Sequence, residues 1–112
     1  MAIVDASGSL VYQRRMEQSL GVSIDLAPNK AYTSIAFRCS TAKLGESIQP
    51  GSSLYGIETM VQRPIVLFGG GEPLMCGDYL IGGLGISGGT VDEDMLIVKA
   101  GLRAFQECIK GA

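Results

Sequence analysis

The sequence contains no histidine and no tryptophan, and only 18% of its 112 residues are charged. Without an imidazole there is no Ser-His-Asp or Cys-His catalysis, no histidine-ligated zinc and no histidine-ligated haem. Without an indole there is no tryptophan platform for a sugar or nucleotide ring. Nine basic residues against eleven acidic ones leave a net charge of −2, which provides no footprint for nucleic-acid phosphates. No apolar run approaches a membrane span, and the first residues do not read as a signal peptide. Cys39, Cys76 and Cys108 are too few and too widely spaced for a disulfide framework or a CxxC pair, so a reducing cytoplasm is the expected location.

What is present is apolar and glycine-rich. Hydrophobic residues make up 46% of the chain, and the mean hydropathy of +0.28 is high for a small protein. A chain of this length buries only about two-thirds of its unfolded surface. Part of the apolar surface is therefore expected to lie against another subunit, in a dimer or larger homo-oligomer. The length fits one domain over 1–112. There are 16 glycines, concentrated between positions 69 and 89 and without the G-X-Y period of collagen.

Two β-favourable runs, 2–6 and 9–16, flank Ser7-Gly8 and predict a hairpin. Ile24, Ala27, Ala31 and Ile35 then recur at helical spacing. Because proline is tolerated in a first turn, this pattern predicts a helix over 28–38 after a lead-in turn at 23–27. A short helix is expected over 41–48 with Ser40 or Thr41 as cap, then a loop over 49–64 with one turn near 54–60. The apolar run 65–68, a short element from Glu72-Pro73 and the segment 79–86 read as three strands. Gly82, Gly83 and Gly85 in the last imply a bulge or another backbone pressing close.

Thr90 with Glu93 forms a capping box, and Val91, Met95, Val98, Leu102, Phe105 and Ile109 make one apolar stripe, so 90–110 is a helix. Ala100, Gly101 and Ala104 add small residues expected to allow a close approach to the sheet. The order β-β-α-α-β-β-β-α gives an α+β fold with a mostly antiparallel five-stranded sheet.

Three places offer chemistry. Backbone amides of Gly69, Gly70 and Gly71, with Glu72 following, can press against an anionic or planar ligand; a tight turn is the competing explanation. Gly88, Gly89 and Thr90 open a helix whose dipole favours an anion there, although Thr90 and Glu93 can satisfy those amides themselves. Lys30 and Thr33, on a helix with an apolar side, can face a pocket, the lysine as charge clamp or amine nucleophile; a solvated lysine is the alternative. The acidic run Asp92-Glu93-Asp94 fits a helix first turn better than a metal site, because consecutive helical side chains diverge.

Taken in order, Val4-Asp5-Ala6-Ser7-Gly8, Ile24-Asp25, Lys30-Ala31-Tyr32-Thr33, Pro50-Gly51, Leu54-Tyr55-Gly56, Phe68-Gly69-Gly70-Gly71 and Gly82-Gly83-Leu84-Gly85-Ile86-Ser87-Gly88-Gly89-Thr90 resemble the GlcG/HbpS-like family. The resemblance implies a profilin-like α/β/α sandwich that assembles into dimers or larger oligomers. Relatives include haem-binding sensors, proteins linked to glycolate, glycerol or propanediol utilisation, and the C-terminal domain of some corrinoid adenosyltransferases. It implies a small-molecule-binding accessory protein whose ligand is a tetrapyrrole, a corrinoid or a small organic acid. The site would lie between Gly69–Gly71, Gly88–Thr90 and Lys30. An enzyme on a small oxygenated metabolite, with Lys30 or Glu72 as acid–base group, and a structural partner of a larger enzyme are the alternatives. Two departures stand out. Family haem sites use a histidine that this chain lacks, and relatives carry a helix before the first strand.

Overall fold

A computed structural model describes residues 1–111. Strand β1 (Ala2–Asp5) turns back into β2 (Leu10–Gln13). The turn is held by one carboxylate: Asp5 Oδ1 accepts from the Ser7 amide (2.9 Å), the Ser7 hydroxyl (2.6 Å) and the Ser9 amide (3.0 Å). The hairpin is as expected, but its second strand ends at Gln13, and Arg14–Val22 form a loop beneath it.

Helix α1 (Ser23–Phe37) begins five residues earlier than Pro28 suggested, so the proline lies inside it. Proline has no N–H for the carbonyl four residues back. That carbonyl, on Ile24, accepts instead from Gln13 Nε2 at 2.9 Å, a donor delivered by the end of β2. The lost helical bond is replaced by a tertiary one, which is why the helix runs on through the proline. Helix α2 (Thr41–Ser47) follows, with Ser40 Oγ accepting from the Lys43 amide at 3.1 Å. In the loop beyond it, the Ile57–Thr59 segment makes a single 3₁₀ turn. Arg63 anchors this loop to the hairpin, its Cζ 3.7 Å from the centre of the Tyr32 ring and its Nη2 donating to Gly8 O at 2.8 Å.

The run 65–68 does not join the sheet. Val66 is buried, but its amide donates to Thr33 Oγ1 at 2.9 Å, a side-chain partner on α1 instead of a neighbouring strand. The sheet therefore has four strands, in the order β2-β1-β4-β3 with every pair antiparallel. Here β3 is Gly71–Cys76 and β4 is Tyr79–Gly85. An apolar run can be buried as an extended connection when side chains satisfy its backbone, and such a run carries no signal separating it from a strand.

Helix α3 (Val91–Lys110) has the expected capping box, with Thr90 Oγ1 accepting from the Glu93 amide (3.1 Å) and Glu93 Oε1 from the Thr90 amide (2.9 Å). Helices α1 and α2 pack on one face of the sheet and α3 on the other. On the first face, Val4, Ala31 and Ile35 form a core with Tyr32 and Leu80 at its margin. On the second, Val98 packs with Leu74, Leu84 and Ile86, flanked by Ile3, Leu102 and Phe105. Successive residues of β4 serve opposite faces, as strand geometry requires. Leu84 and Ile86 face α3, while a Cβ on Gly83 or Gly85 would fall on the carbonyl oxygen of Ala31 or Ala27. The expected close backbone approach is therefore made by α1. Of the small residues of α3, only Gly101 meets the sheet, at the Leu84 side chain; Ala100 and Ala104 are exposed.

Candidate functional site

Helix α1 buries an unusual set of polar side chains against the sheet, and Lys30 is the largest of them. It has no exposed surface. Nζ donates to the Ile86 carbonyl at 2.7 Å and pairs with Asp94 Oδ2 at 3.0 Å. It also lies 5.1 Å from the centre of the Phe68 ring. A buried ammonium is tolerable only with this degree of compensation. Gly70 permits it: a Cβ there would stand 2.6 Å from Nζ. Asp94 in turn uses its other oxygen, Oδ1, to accept from the Gly89 amide at 3.0 Å. One ion pair thus ties α1, the end of β4, the 87–90 turn and α3 together.

Thr33 is buried as well, donating to Asn29 O (2.6 Å) and accepting from Val66. The Gly71 amide donates to Thr41 Oγ1 at 2.9 Å, and Gly70 O accepts from the Ile86 amide at 2.8 Å. Lys30, Thr33, Gly69, Gly70 and Gly71 are therefore brought together, but inside the protein, with the Lys30 ammonium, the Thr33 hydroxyl, the Gly70 carbonyl and the Gly71 amide engaged. Glu72 lies apart from them in direction, half-buried at the outer strand β3. Burial pushes its carboxyl above the usual glutamate range, and Lys99 partly offsets this.

On the outer side of the Ile86–Gly89 turn lies a cleft of about 420 Å³. It is a size that suits a small organic ligand or part of a cofactor. The 14–19 loop forms one wall, the turn and the first turns of α3 the other. Met1, Met16, Ile86 and Ile97 supply apolar lining; Arg14 and Arg15 supply positive charge and Glu93 and Asp94 negative charge; Gly88 and Gly89 form part of the wall. Of the residues expected at a site, Gly88 and Gly89 line this cleft, whereas Lys30, Thr33, Gly69, Gly70, Gly71, Glu72 and Thr90 do not. Lys30 lies directly behind the wall, because both of its partners, Ile86 and Asp94, are lining residues. The exposed Thr90 is occupied as the α3 cap.

Arg14, Arg15 and Met16 escaped sequence reasoning because they read as the end of a strand. The signal available was the adjacent Arg pair followed by Met, a charge–thioether combination at the point where a strand leaves the core. Among the described residues no grouping of acids or cysteines could hold a metal ion, and no helix is long and apolar enough to cross a membrane.

Comparison with known proteins adds to this geometry. The family model described as haem degrading protein HbpS-like matches residues 1–103. The chain is 46% identical over 105 residues to the corrinoid adenosyltransferase PduO of Salmonella typhimurium, covering 94% of this chain but 31% of that protein. It thus spans about a third of the length of that relative. An uncharacterised 15.0 kDa protein of the dhaT-dhaS intergenic region of Citrobacter freundii is 40% identical over 106 residues, covering 95% of this chain and 75% of that protein. A crystal structure of a PduOC:haem complex superposes with a TM-score of 0.88 at 47% identity, covering 92% of this chain and 75% of that one.

Proposed function

The chain belongs to the HbpS-like family, and from that premise we propose that it is a small-molecule-binding accessory protein of glycerol- or propanediol-type metabolism, taking a tetrapyrrole or corrinoid in the 14–19/86–89 cleft. The observation that carries this reading is the lining of the cleft. Apolar Met1, Met16, Ile86 and Ile97 share the lining with Arg14 and Arg15, while its two acids, Glu93 and Asp94, are already engaged by the Thr90 amide and by Lys30 and the Gly89 amide. That suits a flat apolar ring system bearing carboxylates, since arginine pairs with carboxylates through a planar fork. The relative bound to haem and the corrinoid-linked relative support the same ligand class.

The donor set fits such a group only in one respect. No imidazole exists in this chain, and among the lining residues Met16 and Met1 carry the soft thioether donors that could hold a ring-bound metal. When bound, the ring would bring its own redox or metal-centred chemistry. The protein's part is to exclude water with its apolar lining and to orient the ring by its acidic edge. An acid–base role for Lys30 is less favoured, because it is fully buried and two of its three N–H groups already serve Ile86 O and Asp94. Free cysteines fit a cytoplasmic location, and the exposed apolar residues fit a homo-oligomer.

Haemin and cobalamin titrations, followed by absorbance and tryptophan-independent calorimetry, test the reading. Saturable binding of one of the two is expected, weakened about tenfold or more by Arg14→Ala with Arg15→Ala, in keeping with the loss of charged hydrogen bonds worth roughly 1.5–3 kcal/mol each. Absence of saturable binding of either ring, or affinity indifferent to both arginines, overturns it.

A further inference from the structure

The strand order leaves two sheet edges, β2 and β3, and they differ. Pro73 stands within β3 and gives that edge a residue with no N–H to offer another strand. Strand β2 has neither proline nor glycine. Its three consecutive apolar residues are all open to solvent: Leu10 is 53%, Val11 63% and Tyr12 47% exposed. Because side chains alternate along a strand, exposure of all three means that neither face of β2 is fully covered. The bulge between β1 and β2 bends this edge but places no inward charge on it. An unprotected apolar edge is a template for another strand.

Charge decides which strand. Arg14 and Arg15 follow β2 at one end. At its other end lies the turn of the half-buried Asp5, whose carboxylate is bonded to Ser7 and Ser9. If β2 pairs antiparallel with the β2 of a second copy about a two-fold axis through Val11, position 14 of each copy lies opposite position 8 of the other. Each arginine pair then stands beside the other copy's Asp5 turn. A parallel arrangement would stack arginine on arginine. We infer that β2 is a homodimer edge, joining two four-stranded sheets into one eight-stranded sheet through self-complementary pairing of residues 9–13 about Val11. This is the isologous form of contact that a two-fold dimer requires. Gln13, Arg14, Arg15 and Met16 also line the cleft, so the Ser7–Ser9 turn of the second copy borders each cleft mouth.

The inference rests on the homo-oligomer reading and sharpens it. The test is native mass spectrometry of the full chain, compared with Leu10→Lys/Tyr12→Lys, which alters only exposed side chains, its fold checked by circular dichroism. A second variant, Val11→Cys in a Cys108→Ser background, is oxidised and run on a non-reducing gel. The expected results are an even subunit count that falls by half in the lysine variant, and a covalent dimer through position 11. A wild-type monomer overturns this inference together with the oligomer reading. An oligomer whose count is unchanged by the two lysines and that fails to cross-link at position 11 overturns the β2 edge alone.

Discussion

The two faces of the sheet are built differently. Against α1, contact is backbone on backbone. Gly71, Gly83 and Gly85 leave room for the carbonyls of Lys30, Ala31 and Ala27, and the helix residues at this contact are essentially without exposure. Against α3, contact is side chain on side chain. Val98 is buried, Leu102, Phe105 and Ile109 are only partly so, and Leu96 is 71% exposed. Backbone contact is short and unforgiving, because a peptide group has no rotamer to change. Side-chain contact is adaptable, since a leucine can turn aside. The α1 face is therefore the rigid half of the molecule, and the cleft is attached to it through the Lys30–Asp94 pair.

The largest way to break this contrast is to unpair that ion pair. Lys30→Ala should cost about 3–5 kcal/mol in urea denaturation, because it leaves Asp94 buried without its cation. The double variant Lys30→Met/Asp94→Leu should recover much of the loss, since apolar replacement of a buried pair is commonly near neutral. A single variant within about 1 kcal/mol of wild type would show that the pair carries no such role.

The next test makes one substitution on each face. Gly85→Ala places a methyl on the Ala27 carbonyl and should cost about 3 kcal/mol, at the upper end of ordinary overpacking. Gly101→Ala, on α3, meets only Leu84 Cδ2 at 2.7 Å, the far end of a flexible side chain. It also gains up to about 1 kcal/mol of helix propensity, so its net effect should be small or stabilising. Equal losses at the two sites would erase the distinction between the faces.

The smallest effect concerns Glu72. Burial raises its carboxyl above the unfolded value, with Lys99 in opposition. The sign follows from linkage: the group favours folding most when protonated, and that contribution is lost as pH rises through its folded-state value. Glu72→Gln should therefore raise Tm at neutral pH, and the difference should vanish below the ordinary glutamate range. A pH-independent difference in melting would mean that side-chain contacts, not ionisation, cause it.

How much of this was legible in the sequence follows from how local each signal was. The capping box of Thr90 and Glu93, the stripe of α3 and the Ser7-Gly8 hairpin depend on residues within a few positions of one another, and all three appear, the hairpin with a second strand that stops at Gln13 instead of running to 16. The bounds of α1 and the state of 65–68 were not legible, because each depends on a partner far along the chain. Gln13 lets α1 run through Pro28, and Thr33 takes the Val66 amide that a sheet would otherwise have bonded.

Of the candidate site, the sequence pointed to glycines and to Lys30, and the fold brings most of them together, but as a buried frame. Asp94 looked like a first-turn acid serving the helix dipole. Only folding brings it to a lysine 64 positions away. Likewise the Arg14-Arg15-Met16 run becomes a cleft wall only when the 86–89 turn is laid beside it. The sequence by itself determined the helix caps, the amphipathic stripe, the hairpin and the exclusion of histidine chemistry, since these follow from composition and short-range spacing. The tertiary structure decided which polar groups face solvent and which face each other, because burial and charge pairing depend on distances in space that no spacing along the chain encodes.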